Sequence, residues 1–151
     1  MSFRPFERDE IEAYHASMLA RFTAELEASG MSKEQARSHA GQSDSLVFPG
    51  GKLAEGHYVG HVVVDGDDVG ALWLGPAEGE VDRWWIYYVE IDEEKRGRGL
   101  GREAMLLAES VARDHGATTL GLNVFGDNDI ARSLYRSLGY GEVSIQMRKP
   151  L

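Results

Sequence analysis

A short segment rich in glycine and arginine, Arg96–Arg102, restricts more than any other feature how this chain can fold. It follows a strand-like run, Trp84–Ile91, and precedes a helical pattern that begins at Leu100. Glycines let a backbone turn tightly, the N–H groups at a helix start attract anions, and arginines donate forked hydrogen bonds to phosphate oxygens. The segment therefore predicts a phosphate site between a strand and a helix, and with it a phosphorylated cofactor.

The composition indicates one ordinary globular domain over residues 1–151, with a hydrophobic content of 42%. No apolar run is long enough to cross a membrane, and the charged N-terminus lacks the apolar stretch of a signal peptide. The absence of cysteine excludes disulfides and thiolate ligands, and the histidines and carboxylates show no metal-ligand spacing. We expect a cytoplasmic protein with no metal and no membrane partner.

The charge is distributed unevenly along the chain, whose formal net charge is −9. Residues 1–94 carry 7 Lys/Arg against 19 Asp/Glu, whereas residues 95–151 carry 9 against 6. The first part suits a cationic ligand, or serves only solubility, and the second part suits an anionic ligand. The lack of a broad basic face argues against nucleic acid as a partner.

Hydrophobic periodicity predicts alternating strands and helices that form an α/β or α+β sandwich on a mixed sheet. Cap and turn residues support several of the boundaries, among them the capping-box pattern Ser32–Gln35. The predicted elements are a short strand at Phe3–Phe6, helices at Ile11–Leu26 and from Ser32, strands at Tyr58–Asp65, Val69–Leu74 and Trp84–Ile91, a helix from Leu100 to near Gly116, a strand at Leu120–Phe125, a helix at Asn128–Leu138 and a last strand at Val143–Met147.

The usual nucleotide motifs do not match the glycine-rich segment. No Gly-Lys-Ser/Thr string of a P-loop occurs, and Arg102 stands where the dinucleotide fingerprint needs its last glycine. What remains is R-x-x-G-x-G, formed by Arg96, Gly99 and Gly101 directly after a strand. A second block, N-x-x-A-x-x-x-Y-x-x-x-G-Y, runs from Asn128 to Tyr140.

These two motifs, in this order, resemble those of the GNAT superfamily of acyl-CoA-dependent N-acyltransferases. The resemblance implies a mixed, centrally splayed β-sheet of about six to seven strands flanked by about four helices. It divides the chain into a helical acceptor-side segment, residues 1–55, and an acetyl-CoA-binding core, residues 58–148. The implied reaction is acetyl transfer from acetyl-CoA to a primary amine of a small molecule or protein.

The resemblance also implies roles for individual residues. A bulge around Val89–Ile91 would free backbone N–H groups for the thioester oxygen and the pantetheine. Tyr135 would protonate the leaving thiolate, although a core aromatic residue would show the same helical spacing. The expected cofactor-binding residues are Val89, Ile91, Arg96, Gly97, Arg98, Gly99, Leu100, Gly101, Arg102, Asn123 and Asn128; some of the arginines can equally serve only to solvate the helix start.

The general base is the most open assignment. Glu90 lies on the predicted cofactor-binding strand, and strand alternation places it on one face with Tyr88 and Ile86. Its alternatives are His57 and His61 on the preceding hairpin, or a proton relay through water. A structural carboxylate is the competing interpretation of Glu90.

Two further questions stay open at this point. The three tryptophans, Trp73, Trp84 and Trp85, can line an acceptor pocket, pack in the core or form a homodimer interface. A non-catalytic module that binds acetyl-CoA and regulates a partner protein is the alternative to an enzyme.

Overall fold

The computed structural model describes residues 1–151 and contains one mixed five-stranded sheet with four helices. Strands β1 to β4 are antiparallel neighbours in chain order, and β5 lies parallel to β4 at the edge. The strands are Ser2–Pro5 (β1), Tyr58–Val64 (β2), Asp67–Pro76 (β3), Arg83–Ile91 (β4) and Thr119–Leu122 (β5). The helices are Arg8–Ala28 (α1), Lys33–Val47 (α2), Leu100–Asp114 (α3) and Asp129–Ser137 (α4). The predicted fold class is confirmed, with fewer strands than expected.

The predicted last strand, Val143–Met147, is absent, because residues 141–151 pair with no other strand. Val143 and Met147 are 100% and 89% exposed. Alternation of apolar and polar residues shows that a segment can present two faces, but a strand also needs a partner for its backbone. Here Arg148 holds the segment through a 2.8 Å hydrogen bond from Nη1 to the carbonyl oxygen of Ser29.

The predicted start of α2 is confirmed by its hydrogen bonds. The Ser32 hydroxyl accepts from the Gln35 N–H at 3.2 Å, and the Gln35 side chain accepts from the Ser32 N–H at 3.1 Å. These two bonds satisfy N–H groups that a helix start leaves without partners. Helices α1 and α2 then pack against each other through Leu26, Ala36 and Ala40.

The sheet separates two apolar layers. On one face, Leu72, Ile86 and Met105 belong to a core that the sheet forms with α3. On the other face, Phe48 and Trp73 pack beneath α1 and α2. None of the four helices is both long enough and apolar enough to cross a membrane.

Two of the three tryptophans are core residues. Trp73 and Trp84 are 4% and 3% exposed, on opposite faces of the sheet. Trp85 is only partly buried and lines a large cleft. Of the three interpretations, core packing therefore holds for Trp73 and Trp84, whereas Trp85 is available to a ligand.

Candidate active site

Strand β4 carries a bulge in the middle of the sheet. Trp73 lies opposite Tyr88, but the next residue, Leu74, lies opposite Ile86, so Tyr87 is an extra residue in β4. A bulge of this kind bends a strand and frees backbone groups from the hydrogen-bonded ladder. It therefore gives β4 the change of direction that a splayed sheet needs.

The predicted position of this bulge, around Val89–Ile91, is wrong, because the pairing with β3 is regular from Tyr88 to Ile91. The predicted common face of Ile86, Tyr88 and Glu90 is wrong for Ile86 as well. Ile86 packs in the core beside α3, whereas Tyr88 packs on the α1–α2 side. The extra residue, Tyr87, reverses the alternation of side chains between the two faces of the sheet. The position of this bulge depends on the pairing of β4 with β3 and not on the sequence of β4 alone.

Strands β4 and β5 separate directly after this point. Their parallel pairing ends at Ile86 and Leu122, so the edge of β4 from Tyr87 to Ile91 has no strand beside it. A cleft of about 1460 Å³ opens here and extends beneath α1 and α2. Where the strands diverge, its lining consists of Tyr87, Tyr88, Val89, Leu122, Asn123, Val124 and Phe125. The predicted splay is thus confirmed, and it lies between β4 and the edge strand β5.

The glycine-rich segment forms a loop with free backbone N–H groups at the start of α3. Gly97 and Gly99 have φ values of 75° and 79°, in the left-handed region that glycine tolerates. The N–H groups of residues 97–101 donate to no acceptor within the protein. Consecutive free N–H groups at a helix N-terminus, together with the helix dipole, favour a bound phosphate.

Only one of the three arginines near this loop is free of protein partners. Arg96 folds back, with Nε donating to the carbonyl oxygen of Ile91 at 2.8 Å and Nη2 lying 3.2 Å from Glu90 Oε1. Arg102 donates to the hydroxyl of Ser137 on α4. Arg98 is exposed and makes no hydrogen bond or ion pair. Arg96 and Arg102 therefore shape the loop, whereas Arg98 can approach a ligand.

The first residues of α3, directly after the loop, pack against the core and against α4. The Leu100 side chain is 8% exposed and anchors the start of α3 in the core. Gly101 lies against α4, where an added Cβ would be 3.4 Å from Leu134 Cδ2. The small residue at this position thus lets α4 approach the start of α3 closely.

Helix α4 presents Tyr135 to the cleft. Asn128 caps this helix by accepting the Ala131 N–H at 3.1 Å, as predicted, and both Asn128 and Tyr135 line the cleft. Burial raises the pKa of the Tyr135 phenol above its ordinary value. The hydroxyl therefore keeps its proton at neutral pH.

Glu90 lies at the centre of an ion-pair network between α1 and the end of β4. Arg21 holds it bidentately, with Nη1 2.6 Å from Oε2 and Nη2 2.9 Å from Oε1, and the Tyr88 hydroxyl donates to Oε2 at 2.5 Å. Arg21, followed by the Tyr88 bond, lowers the pKa of Glu90 despite partial burial. A carboxylate stabilised as an anion is a weak proton acceptor. Its role as a base stays a prediction.

The two alternative histidines occupy different surroundings. His57 lines the cleft, and its Nδ1 accepts a 3.2 Å hydrogen bond from the Trp73 indole. Burial lowers the pKa of His57, and its neutral ring has only one lone pair, which Trp73 already uses. His61 lies outside the cleft lining, with Nε2 3.1 Å from Glu10 Oε1.

Sequence reasoning missed a third histidine. His15 on α1 lies with Nε2 2.6 Å from Asp44 Oδ1 on α2, and both residues line the cleft. In the sequence, His15 is one of several residues along the inner face of a helix, and Asp44 lies 29 positions away. No local pattern connects them, so only the packing of the two helices reveals the pair.

Comparison with known proteins agrees with this geometry. A sequence profile of the Acetyltransferase (GNAT) family matches residues 11–140. The uncharacterized N-acetyltransferase YdgE of Bacillus subtilis is 31% identical over 147 residues, which cover 95% of this chain and 93% of YdgE. A mycothiol acetyltransferase of Tsukamurella paurometabola is 32% identical over 82% of this chain but only 42% of its own length.

The same relationship is found among solved structures. The crystal structure of the acetyltransferase YycN from Bacillus subtilis superposes with a TM-score of 0.86 at 26% identity, covering 99% of this chain and 98% of YycN. The family profile spans strands β2 to β5, the glycine-rich loop and α4, so sequence and architecture point to the same enzymes. The chain belongs to the Acetyltransferase (GNAT) family and is an acyltransferase.

Proposed function

We propose that the protein transfers an acetyl group from acetyl-CoA to a primary amine of a small molecule or protein. The observation that carries the proposal is the row of unpartnered N–H groups at residues 97–101, where the connection from β4 enters α3. Such a row fits the diphosphate of coenzyme A, and the family takes acetyl-CoA as its co-substrate.

The diphosphate and the pantetheine arm of the coenzyme would each meet backbone groups of the protein. Gly97, Arg98, Gly99 and Gly101 would hold the diphosphate, mainly through main-chain N–H groups. The unpaired edge of β4, including the backbone at Val89 and Ile91, would receive the amides of the pantetheine arm. Polar side chains at Asn123 and Asn128 line the β5 side of the same cleft.

The reaction requires one bond to form and one to break. The neutral amine attacks the thioester carbonyl carbon, a C–N bond forms, and the C–S bond then breaks. The carbonyl oxygen, which becomes negative, would be stabilised by free N–H groups of β4. Tyr135 would donate its proton to the departing sulfur, since its phenol is protonated at neutral pH and faces the cleft.

The charge of the cleft favours a cationic acceptor. The helical segment before residue 55 and the β3–β4 connection supply most of its acidic groups, whereas the basic groups are fewer. The carboxylates that line the cleft are Glu25, Asp44, Glu55, Glu78 and Glu80, against Arg21 and Arg148. An amine that carries further positive charge would therefore be drawn to this side.

Release of free thiol from acetyl-CoA, measured with a panel of mono- and polyamines, tests the proposal. A matched pair of variants tests the binding site: Gly99→Val and Gly116→Val. Both glycines have left-handed φ values, 79° and 87°, and open space around them, but only Gly99 belongs to the phosphate loop. The backbone strain is thus similar, at roughly 1–3 kcal/mol.

We expect acetyl-CoA to protect the wild-type protein and Gly116→Val from heat, and to protect Gly99→Val much less. Equal protection of both variants would contradict the assignment of the loop. Thermal protection of the wild-type protein without thiol release on any amine would instead indicate a non-catalytic acetyl-CoA-binding module.

A further inference from the structure

The helical side of the cleft holds a histidine–carboxylate pair. His15 Nε2 lies 2.6 Å from Asp44 Oδ1, and the two side chains are 20% and 22% exposed. The imidazole also stacks on Phe48, with ring centroids 3.8 Å apart and an angle of 12° between the planes. Phe48 itself is 2% exposed. The ring of His15 is therefore fixed by a hydrogen bond and by a buried aromatic surface.

The pairing defines which nitrogen of His15 can accept a proton. An ionised carboxylate only accepts hydrogen bonds, so Nε2 carries the hydrogen that faces Asp44. The lone pair of the neutral ring is then on Nδ1, which has no hydrogen-bond partner in the protein. A carboxylate that orients the far side of an imidazole in this way also stabilises the imidazolium once it forms.

The other candidate bases lack this combination. Glu90 is neutralised by Arg21, and the lone pair of His57 is used by the Trp73 indole. His39 lines the cleft as an exposed side chain, but no carboxylate pairs with it. Within the cleft lining, His15 thus has both an oriented ring and a free lone pair.

The position of His15 relative to the bulge fits a role on the acceptor side. Phe48 packs edge-on against Trp73 at 5.0 Å between ring centroids, and Trp73 lies opposite Tyr88 at the bulge of β4. Tyr135 lines the same cleft from α4. His15 and Tyr135 therefore line the same cleft from different helices, α1 and α4.

We propose that His15 accepts the proton that the acceptor amine loses during acetyl transfer, and that Asp44 is its positioning residue. The inference rests on the proposed function. As the amine nitrogen bonds to the thioester carbon, one N–H proton passes to Nδ1 of His15, and the C–S bond breaks with Tyr135 protonating the sulfur. The imidazolium releases its proton to water after the amide leaves, and Tyr135 regains one from water.

The pH dependence of kcat/KM for the amine tests this role, with His15→Gln, Asp44→Asn and the control His39→Gln. Asp44 is the charged group paired with His15, and Phe48, which packs on the ring, does not titrate. We expect His15→Gln to lower kcat/KM about 100-fold or more and to remove the acidic limb of the profile. Asp44→Asn should lower kcat with little change in the KM for the amine, since the imidazole loses the carboxylate that orients it.

The control His39→Gln should keep the wild-type rate and profile, and acetyl-CoA should protect all three variants from heat as well as it protects the wild-type protein. An unchanged acidic limb in His15→Gln would overturn the inference while leaving acetyl transfer intact. Should His15→Gln fail to fold, an unchanged kcat in Asp44→Asn would overturn it in the same way. Absence of turnover by the wild-type protein on every amine would overturn both this inference and the proposed function.

Discussion

Replacement of Gly70 by alanine should destabilise the sheet beside the active site. Gly70 of β3 faces Ile91 at the end of β4, and an added Cβ would lie 2.0 Å from the carbonyl oxygen of Glu90 and 3.0 Å from Ile91 Cα. Both atoms belong to the backbone, so no side-chain rotation can relieve the contact. The two strands must separate by more than about 1 Å, because Cβ atoms essentially never approach other heavy atoms closer than 3.0 Å.

The cost of that separation has two parts. Overpacking of a well-packed region costs about 1–3 kcal/mol. Loss of one or two ladder hydrogen bonds between β3 and β4 adds about 1 kcal/mol each. We therefore expect Gly70→Ala to lower the free energy of unfolding by about 2–5 kcal/mol, a large part of the roughly 5–15 kcal/mol that a domain of this kind has.

Gly41→Ala is the matched control with the opposite expected sign. Gly41 lies inside α2, is exposed, and an added Cβ would meet no atom within 4 Å. Alanine should raise the stability there by about 0.5–1 kcal/mol, because glycine loses more conformational entropy in a helix. Urea denaturation measures both variants. A change of less than about 0.5 kcal/mol in Gly70→Ala would refute the steric argument.

Three further variants test the site and the helix that borders it. Tyr135→Phe should lower kcat about 100-fold or more and leave the affinity for acetyl-CoA unchanged. Release of free thiol measures kcat, and calorimetry measures the affinity. Full activity of the variant would make Tyr135 a packing residue. Glu90→Gln should lower the stability at pH 7 by about 1 kcal/mol, since Arg21 and Glu90 are partly solvent-screened. The folded-state pKa of Glu90 is lowered, so its contribution is present above the unfolded-state pKa and is lost as the pH falls through the folded value. The difference between wild type and variant in urea titrations should thus shrink below about pH 4, and a constant difference would contradict the ion-pair assignment. Ser32→Ala should cost about 1 kcal/mol through loss of the α2 cap to the Gln35 N–H, and an unchanged melting curve would refute this.

Features that depend on neighbouring residues could be predicted from the sequence. The glycine-rich loop is one, because left-handed φ values at Gly97 and Gly99 follow from the freedom of glycine itself. The cap of α4 by Asn128 is another, because it links residues within one helical turn. Together these local features, in the right order, were enough to predict the family and the splayed sheet.

Features that depend on distant residues could not be predicted in the same way. The bulge at Tyr87 exists because β3 and β4 change register against each other. The alternation of residue types within β4 does not indicate where that change occurs. The segment Val143–Met147 has the alternation of a strand but no partner strand.

The charged groups of the site show the same division. The sequence alone determined that arginines flank the glycine-rich loop and that Glu90 follows the aromatic run of β4. Only the tertiary structure decided that Arg21 neutralises Glu90 and that His15 and Asp44 meet, because each pair joins elements far apart in the chain. Hydrogen bonds and ion pairs act over a few ångströms, so the chemistry of these side chains depends on which helices and strands pack together.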